Sequence, residues 1–166
     1  MMLDNNQIDL AKENGLLPFE LLVLEPARTI CEKIMSLVRF SYGENPIDDL
    51  KKKIRHTYDL HQLLKQELFL AFFDSTDFYE MLLKVANDDV VSFRNNNKWL
   101  NYHPSEAIIF KDLDNVWEEL RTTYSGNFKN LVYGELPGET EILTTLKMIQ
   151  KRLETISWTI KIKTGK

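Results

Sequence analysis

Two short clusters of polar residues carry the chemistry this chain could perform: Arg28, Thr29, Glu32 and Lys33, and further along Arg55, His56, Tyr58 and Asp59. A lysine ammonium is a compact, mobile point charge, and a carboxylate is an acceptor that can hold or orient a basic group. Each segment carries a polar stripe, Arg28 and Glu32 on the first and Arg55 and Asp59 on the second, that its own packing does not explain. Arg55 and Asp59 stand four residues apart, which also fits a plain solvated ion pair on one helix, worth roughly 0.2–0.5 kcal/mol in this basic-before-acidic order. Helix physics leaves both readings open.

The elements that must position these residues are two helices joined by a Gly43–Pro46 break. Pro26 suits a first helical turn, where its missing donor costs nothing, and the pattern predicts a helix from Pro26 to about Tyr42. At about 100° per residue, Ile30, Ile34, Leu37, Val38 and Ser41 share one face, widened by Cys31, Met35 and Tyr42. That arc is too broad for a helix lying on a surface. Arg28, Glu32 and Arg39 line the opposite side, and Thr29, Lys33, Ser36 and Phe40 form the border, a position where an ammonium such as that of Lys33 can be half desolvated and aimed. A second helix, from about Ile47 to Gln66, directs Ile47, Leu50, Ile54, Tyr58 and Leu64 to the core, with Leu60 and His61 nearby. It sets Asp48, Lys52, Arg55 and Asp59 in one row on the other side.

The pattern of strand, proline and Arg28-Thr29-x-x-Glu32-Lys33, followed by Arg55-His56-x-Tyr58-Asp59-Leu60, resembles the C-terminal part of AbiEii/AbiGii-type nucleotidyltransferases, toxin components of bacterial abortive-infection and toxin–antitoxin systems. The two motifs carry the resemblance, and element order and helix content follow it over most of the chain. It implies that Lys33 acts at a nucleotide-binding site, meeting a triphosphate as a point charge, and that Asp59 is needed for activity, orienting a basic group or the acceptor. Arg28, Thr29, Arg55 and Tyr58 would be substrate-binding neighbours. Mg²⁺ and a nucleoside triphosphate belong to the complete enzyme, with no cofactor bound by this chain alone.

The family also carries a catalytic domain with a glycine motif and a metal-binding Asp-x-Asp pair. Here the sole Asp-x-Asp is Asp112-Leu113-Asp114, with no glycine motif before it, in a stretch that reads as an acidic helix start. The expectation is therefore a domain inactive alone, completed by a nucleotidyltransferase domain or chain, with an antitoxin and an RNA acceptor as further candidate partners. A non-catalytic helical interaction module is the alternative.

The remaining sequence gives bounds. A chain of 166 residues, 43% hydrophobic and 28% charged, fits one globular domain. A formal net charge of −4 argues against the whole molecule being a nucleic-acid grip, and the positive charge of Lys51, Lys52, Lys53, Arg55, His56 and Lys65 reads as a solvated helix surface before it reads as an RNA contact. Cys31, the sole cysteine, reads as a small core residue in a reducing compartment. No apolar run is long enough to span a bilayer and no leader pattern opens the chain, so a cytoplasmic protein is expected. His56, His61 and His103 lack metal-ligand spacing.

In fold class the chain reads as mainly α, a multi-helix bundle over 25–166, preceded by a short helix from Asn5 to Asn14 and a strand from Phe19 to Leu24. That strand reads as left over from an α/β nucleotidyltransferase sheet, so that 1–24 forms the junction to the missing domain. Later helices are expected from Asp74 or Ser75 and from Asp112 to about Leu131, and a closing helix from Thr140 carries Ile142, Leu146, Ile149, Leu153 and Ile156 on one stripe. A loop falls at Asn95–Asn97, a turn at Tyr133–Gly138, and the tail is either a short strand or a frayed end.

Overall fold

Helix α1 (Pro26–Phe40) begins at its proline, and its wide apolar arc makes it the centre of the molecule. Ile30, Cys31, Ile34 and Leu37 are wholly buried, with Met35 and Val38 nearly so. The computed structural model describes residues 12–14, 25–160 and 162. Among these, Lys12 and Glu13 are helical and Asn14 lies in a turn, while the strand expected at Phe19–Leu24 and the rest of the short helix expected over Asn5–Asn14 lie outside the described residues.

After α1 come α2 (Pro46–Lys51), α3 (Ile54–Leu64), α4 (Glu67–Asp74), α5 (Thr76–Ser92), α6 (Ile108–Lys111), α7 (Leu113–Ser125) and α8 (Glu139–Glu154). Short 3-10 turns at Lys98–Asn101, Pro104–Glu106 and Phe128–Leu131 interrupt the series. The architecture is a mainly α multi-helix bundle, and no strand occurs among the described residues. α1 packs against α5 on one side and α3 on another; α3 packs in turn on α8 and α4, while α7 lies across α2, α3 and α8.

The single helix expected from Ile47 to Gln66 is two. The chain leaves α-helical geometry at Lys53 (φ −108°, ψ 11°), where Lys53 N–H donates to Leu50 O at 2.9 Å and His56 N–H to Lys53 O at 2.8 Å. The break sets α2 against α7 and α1, and lets α3 run between α1 and α8 while also touching α7. Leu50, Ile54, Leu60, His61 and Leu64 are buried as expected, but Thr57 joins them, its hydroxyl donating to Ile54 O. Tyr58 is only half buried.

The helix expected to run to Leu131 stops at Ser125, because the chain turns at Gly126 (φ −96°, ψ −102°). A Cβ there would stand 2.7 Å from Thr122 O. Its core face, Leu113, Val116, Trp117, Leu120 and Tyr124, is buried as the periodicity predicts. Phe128 then returns to the core while Leu131 and Tyr133 face solvent, and Gly134 turns the chain at φ 93°.

Polar side chains tie the layers. Ser75 caps α5 by accepting from Asp77 N–H. Arg152 of α8 donates to the carbonyls of Phe73 and Ser75, satisfying the C-terminal end of α4. Ile156 lies beyond the closing helix, half buried, and the described tail residues continue without regular secondary structure, anchored by Trp158 Nε1–H donating to Leu100 O.

Leu37→Ala empties the centre of α1 and is expected to lower stability by about 2–5 kcal/mol, whereas Leu131→Ala, at a side chain 81% exposed, should change it by less than about 0.5 kcal/mol. Urea denaturation of both variants checks the ordering.

Candidate functional site

Lys33 and Asp59 meet. α1 presents Lys33 at the border of its apolar arc, α3 presents Asp59 on the flank facing α1, and Lys33 Nζ lies 2.6 Å from Asp59 Oδ2. Both side chains are largely withdrawn from solvent, 19% and 17% exposed. Asp59 Oδ2 is also 3.4 Å from Arg55 Nε, and the Arg55 side chain is 76% exposed. The intrahelical pair read from the spacing is therefore present, but the shorter and better buried bond is the one between helices. One carboxylate serves two cations, an inner one and an outer one.

His56 stands three residues before Asp59, and its Nδ1 is buried without a hydrogen-bond partner. Burial, reinforced by the positive field of Lys33, Lys53 and Arg55 and opposed by Asp59, pushes its pKa down to about 4. Lys53 sits over the Phe40 ring at 4.7 Å, which holds its ammonium near the α1–α3 seam.

On the outer side of α3 lies an open groove of about 560 Å³, lined by Arg55, Tyr58 and Asp59 on one wall and by Phe128, Leu131 and Tyr133 on the other. Tyr58 packs edge-on against Phe128, ring centroids 5.5 Å apart. Lys33 is not among the lining residues and approaches Asp59 from α1. The far wall was not legible as a site in the sequence; its only signals are the Gly126 break and the turn after Leu131, which together leave large apolar side chains facing solvent.

Arg28 and Thr29 stand apart from this cluster. Arg28 is held by Glu32 at 2.8 Å and by Asp88 of α5 at 2.9 Å, and Thr29 donates to the carbonyl of Glu25. Arg28 borders a smaller groove of about 280 Å³ between α1 and α5. There burial raises the Asp89 carboxyl to about 6, against the pull of Arg39, whose guanidinium stacks 3.9 Å from the Phe93 ring centroid.

The Asp-x-Asp pair is engaged in local contacts: Asp112 accepts from the side-chain amide of Asn115, and Asp114 pairs with Lys147 at 2.7 Å. Among the described residues no group of three or more His, Cys, Asp or Glu side chains converges as a metal site. His61 and His103 serve packing. His61 Nδ1 meets the Thr145 hydroxyl at 2.8 Å; His103 accepts from Ser105 at Nδ1 and donates to Ile156 O from Nε2. Cys31 is buried, its thiol pushed up to about 12 by burial. No described helix is long and apolar enough to cross a membrane.

A family model described as "Nucleotidyl transferase AbiEii toxin, Type IV TA system" matches residues 4–145. No curated protein and no solved structure matches the chain.

Two outcomes follow from the geometry. A double-mutant cycle with Lys33→Ala and Asp59→Ala should give a coupling energy of about 1–2 kcal/mol, against at most about 0.5 kcal/mol for Arg55 and Asp59, because exposed pairs are screened; equal couplings would place both pairs at the surface. His56, neutral in the folded state but protonated below about pH 6.5 when unfolded, takes up more protons in the unfolded chain, so its contribution falls as pH drops from 6.5 toward 4. After discounting for solvent screening, wild type should lose roughly 1 kcal/mol relative to His56→Gln over that window, read from denaturation midpoints at each pH.

Proposed function

Because this chain belongs to the AbiEii nucleotidyltransferase toxin family of type IV toxin–antitoxin systems, we propose that it supplies Lys33 and Asp59 to a nucleoside-triphosphate cleft completed by a catalytic domain or chain. The observation that carries this reading is the half-buried Lys33–Asp59 contact at 2.6 Å between two different helices. It is a place where a lysine is held ready without being locked in the core. Lys33 meets the triphosphate as a point charge. When its ammonium turns to a phosphate oxygen, Arg55 remains beside Asp59, so the carboxylate keeps a counterion and the exchange leaves no uncompensated charge at a half-buried position.

Phosphoryl transfer needs a metal ion bridging the phosphates. The described residues do not fit a metal site of their own, so under this reading the Mg²⁺ ligands come from the completing domain. Arg55 and Tyr58 line the groove on the outer side of Asp59 and stand where substrate would lie; the groove's aromatic and basic walls suit an RNA acceptor. Arg28 and Thr29 act on substrate only if Arg28 leaves Glu32 and Asp88.

A second reading, a helical module that binds a protein partner such as an antitoxin without transferring anything, is favoured by the exposed Leu131 and Tyr133 on the groove's far wall. Nucleotide-dependent thermal stabilisation separates the two, since a binder gains RT ln(1 + [L]/Kd), about 2.7 kcal/mol at a hundredfold excess over Kd. The isolated chain is expected to gain melting temperature with a nucleoside triphosphate and Lys33→Ala to gain none. With a catalytic domain added together with Mg²⁺, Lys33→Ala should lower transfer by about 10²-fold, the scale of losing one charge-stabilising donor. Equal transfer by both proteins would remove Lys33 from the site.

A further inference from the structure

A single large apolar side chain left in water is ordinary on a folded surface. Leu131 and Tyr133 are different, because both stand on one wall of the groove of about 560 Å³ beside α3. That wall is built on the core. Phe128, at its foot, is buried; the Tyr58 ring meets it edge-on and the Tyr124 ring stacks on it with centroids 5.8 Å apart. Val132 N–H closes the turn by donating to Lys129 O at 3.2 Å. Leu131 and Tyr133 are thus presented by backbone already tied down, which leaves less ordering cost to pay when something covers them.

The other edge of the groove is basic, with Lys51, Lys52 and Arg55 set against Asp59. These cations are not equally available. Lys52 donates to Asp49 at 2.9 Å, and Lys51 lies 3.9 Å from Asp48. Arg55 is 76% exposed and reaches Asp59 only at 3.4 Å, while the shorter contact of that carboxylate is with Lys33. Among the described residues Arg55 makes no hydrogen bond. Its planar fork of donors therefore stands open, the geometry that takes a carboxylate through two parallel bonds.

We propose that this groove docks a short acidic segment of a partner protein, with one carboxylate on Arg55 and large apolar side chains against Leu131 and Tyr133. Nucleic acid is the poorer fit: its affinity grows with the number of phosphates met by uncompensated cations, and here one such cation is open on a chain of net charge −4. Leu131 offers no ring for a base to stack on. An open arginine beside an exposed tyrosine is instead the pairing that carries most of the binding energy of protein interfaces. The assignment rests on the protein-partner reading of the far wall and is independent of Lys33 as a triphosphate ligand. A segment seated here covers Arg55 and Tyr58, so it and an acceptor laid along α3 exclude each other.

The test pans a phage-displayed library of random dodecapeptides against the full chain. Enriched peptides are expected to combine Asp or Glu with Leu, Met, Phe or Trp. By fluorescence anisotropy, the most enriched peptide should bind Arg55→Gln about tenfold more weakly, the scale of one hydrogen bond to a charged group. Leu131→Ser and Tyr133→Ser should each cost about tenfold, the scale of one large apolar side chain left uncovered. Lys52→Gln, at a charge that Asp49 already holds, should stay within about twofold of wild type. All four side chains are mostly exposed, and circular dichroism checks that each variant is folded. Enriched peptides that bind wild type, Arg55→Gln and Leu131→Ser alike dock elsewhere, so the groove assignment fails while the protein-partner reading stands. No enrichment overturns both. Enrichment without acidic residues overturns the acidic partner, and a polyuridylate of the same length that binds more tightly than the peptide, and weakens in Arg55→Gln, gives the groove to nucleic acid. Stabilisation by a nucleoside triphosphate is a separate measurement, so the Lys33 reading stands or falls apart from all of these.

Discussion

The side-by-side packing of α1 and α3 is the constraint on which the site depends. α1 has too much apolar surface to be covered by one neighbour, so it takes α5 along one flank and α3 along another. Only when α3 lies against that flank does the polar border of α1 face a second helix. Lys33 stands on that border one residue before Ile34, which is wholly buried, so the lysine's backbone is as fixed as the core beside it while its long side chain keeps some freedom. The Lys33–Asp59 pair is thus a product of core packing, and loosening the core would separate it before any polar residue was changed.

A carboxylate shared between an inner lysine and an outer arginine behaves differently from a simple ion pair. A half-buried pair gains strength from its low-dielectric surroundings, but removing one partner strands the other. With Arg55 in attendance, Asp59 has a second cation 3.4 Å away. The contrast with Arg152 is instructive: its guanidinium is held by two backbone carbonyls at the end of α4 and is part of the frame.

The polar groups of the molecule divide accordingly. Ser41, which donates to Leu37 O and accepts from Ile109 N–H, Gln150, which donates to Phe110 O, and His103, whose Nε2 donates to Ile156 O, each satisfy a group that burial would otherwise leave unpaired. Around α3 the pattern changes: a carboxylate with two cations, a histidine with one buried and one open nitrogen, and a tyrosine half out of the core beside exposed Leu131 and Tyr133. Membership of a nucleotidyltransferase toxin family gives this concentration a chemical context, while Asp112 and Asp114 are engaged with Asn115 and Lys147.

The sequence by itself determined what local periodicity and capping can determine: a mainly helical bundle, the broad buried face of α1, a helix start at Asp74 or Ser75, the apolar stripe of the closing helix, and the two motifs that carry Lys33 and Asp59. Those features follow from the 3.6-residue repeat and from residue chemistry acting over a few positions. Tertiary structure decided the rest. The spacing of Arg55 and Asp59 promised an intrahelical pair, yet the stronger partner of Asp59 comes from another helix, which no local pattern records. One helix ends at Lys51 and the next begins at Ile54, a break at Lys52 and Lys53 that no local breaker residue announces. Arg28 shares a motif with Lys33 but turns to Asp88 on α5, because the two residues, five apart, point to different sides of α1. Distances between side chains on separate helices are set by how whole apolar faces fit together, and that fit is a property of the assembled core.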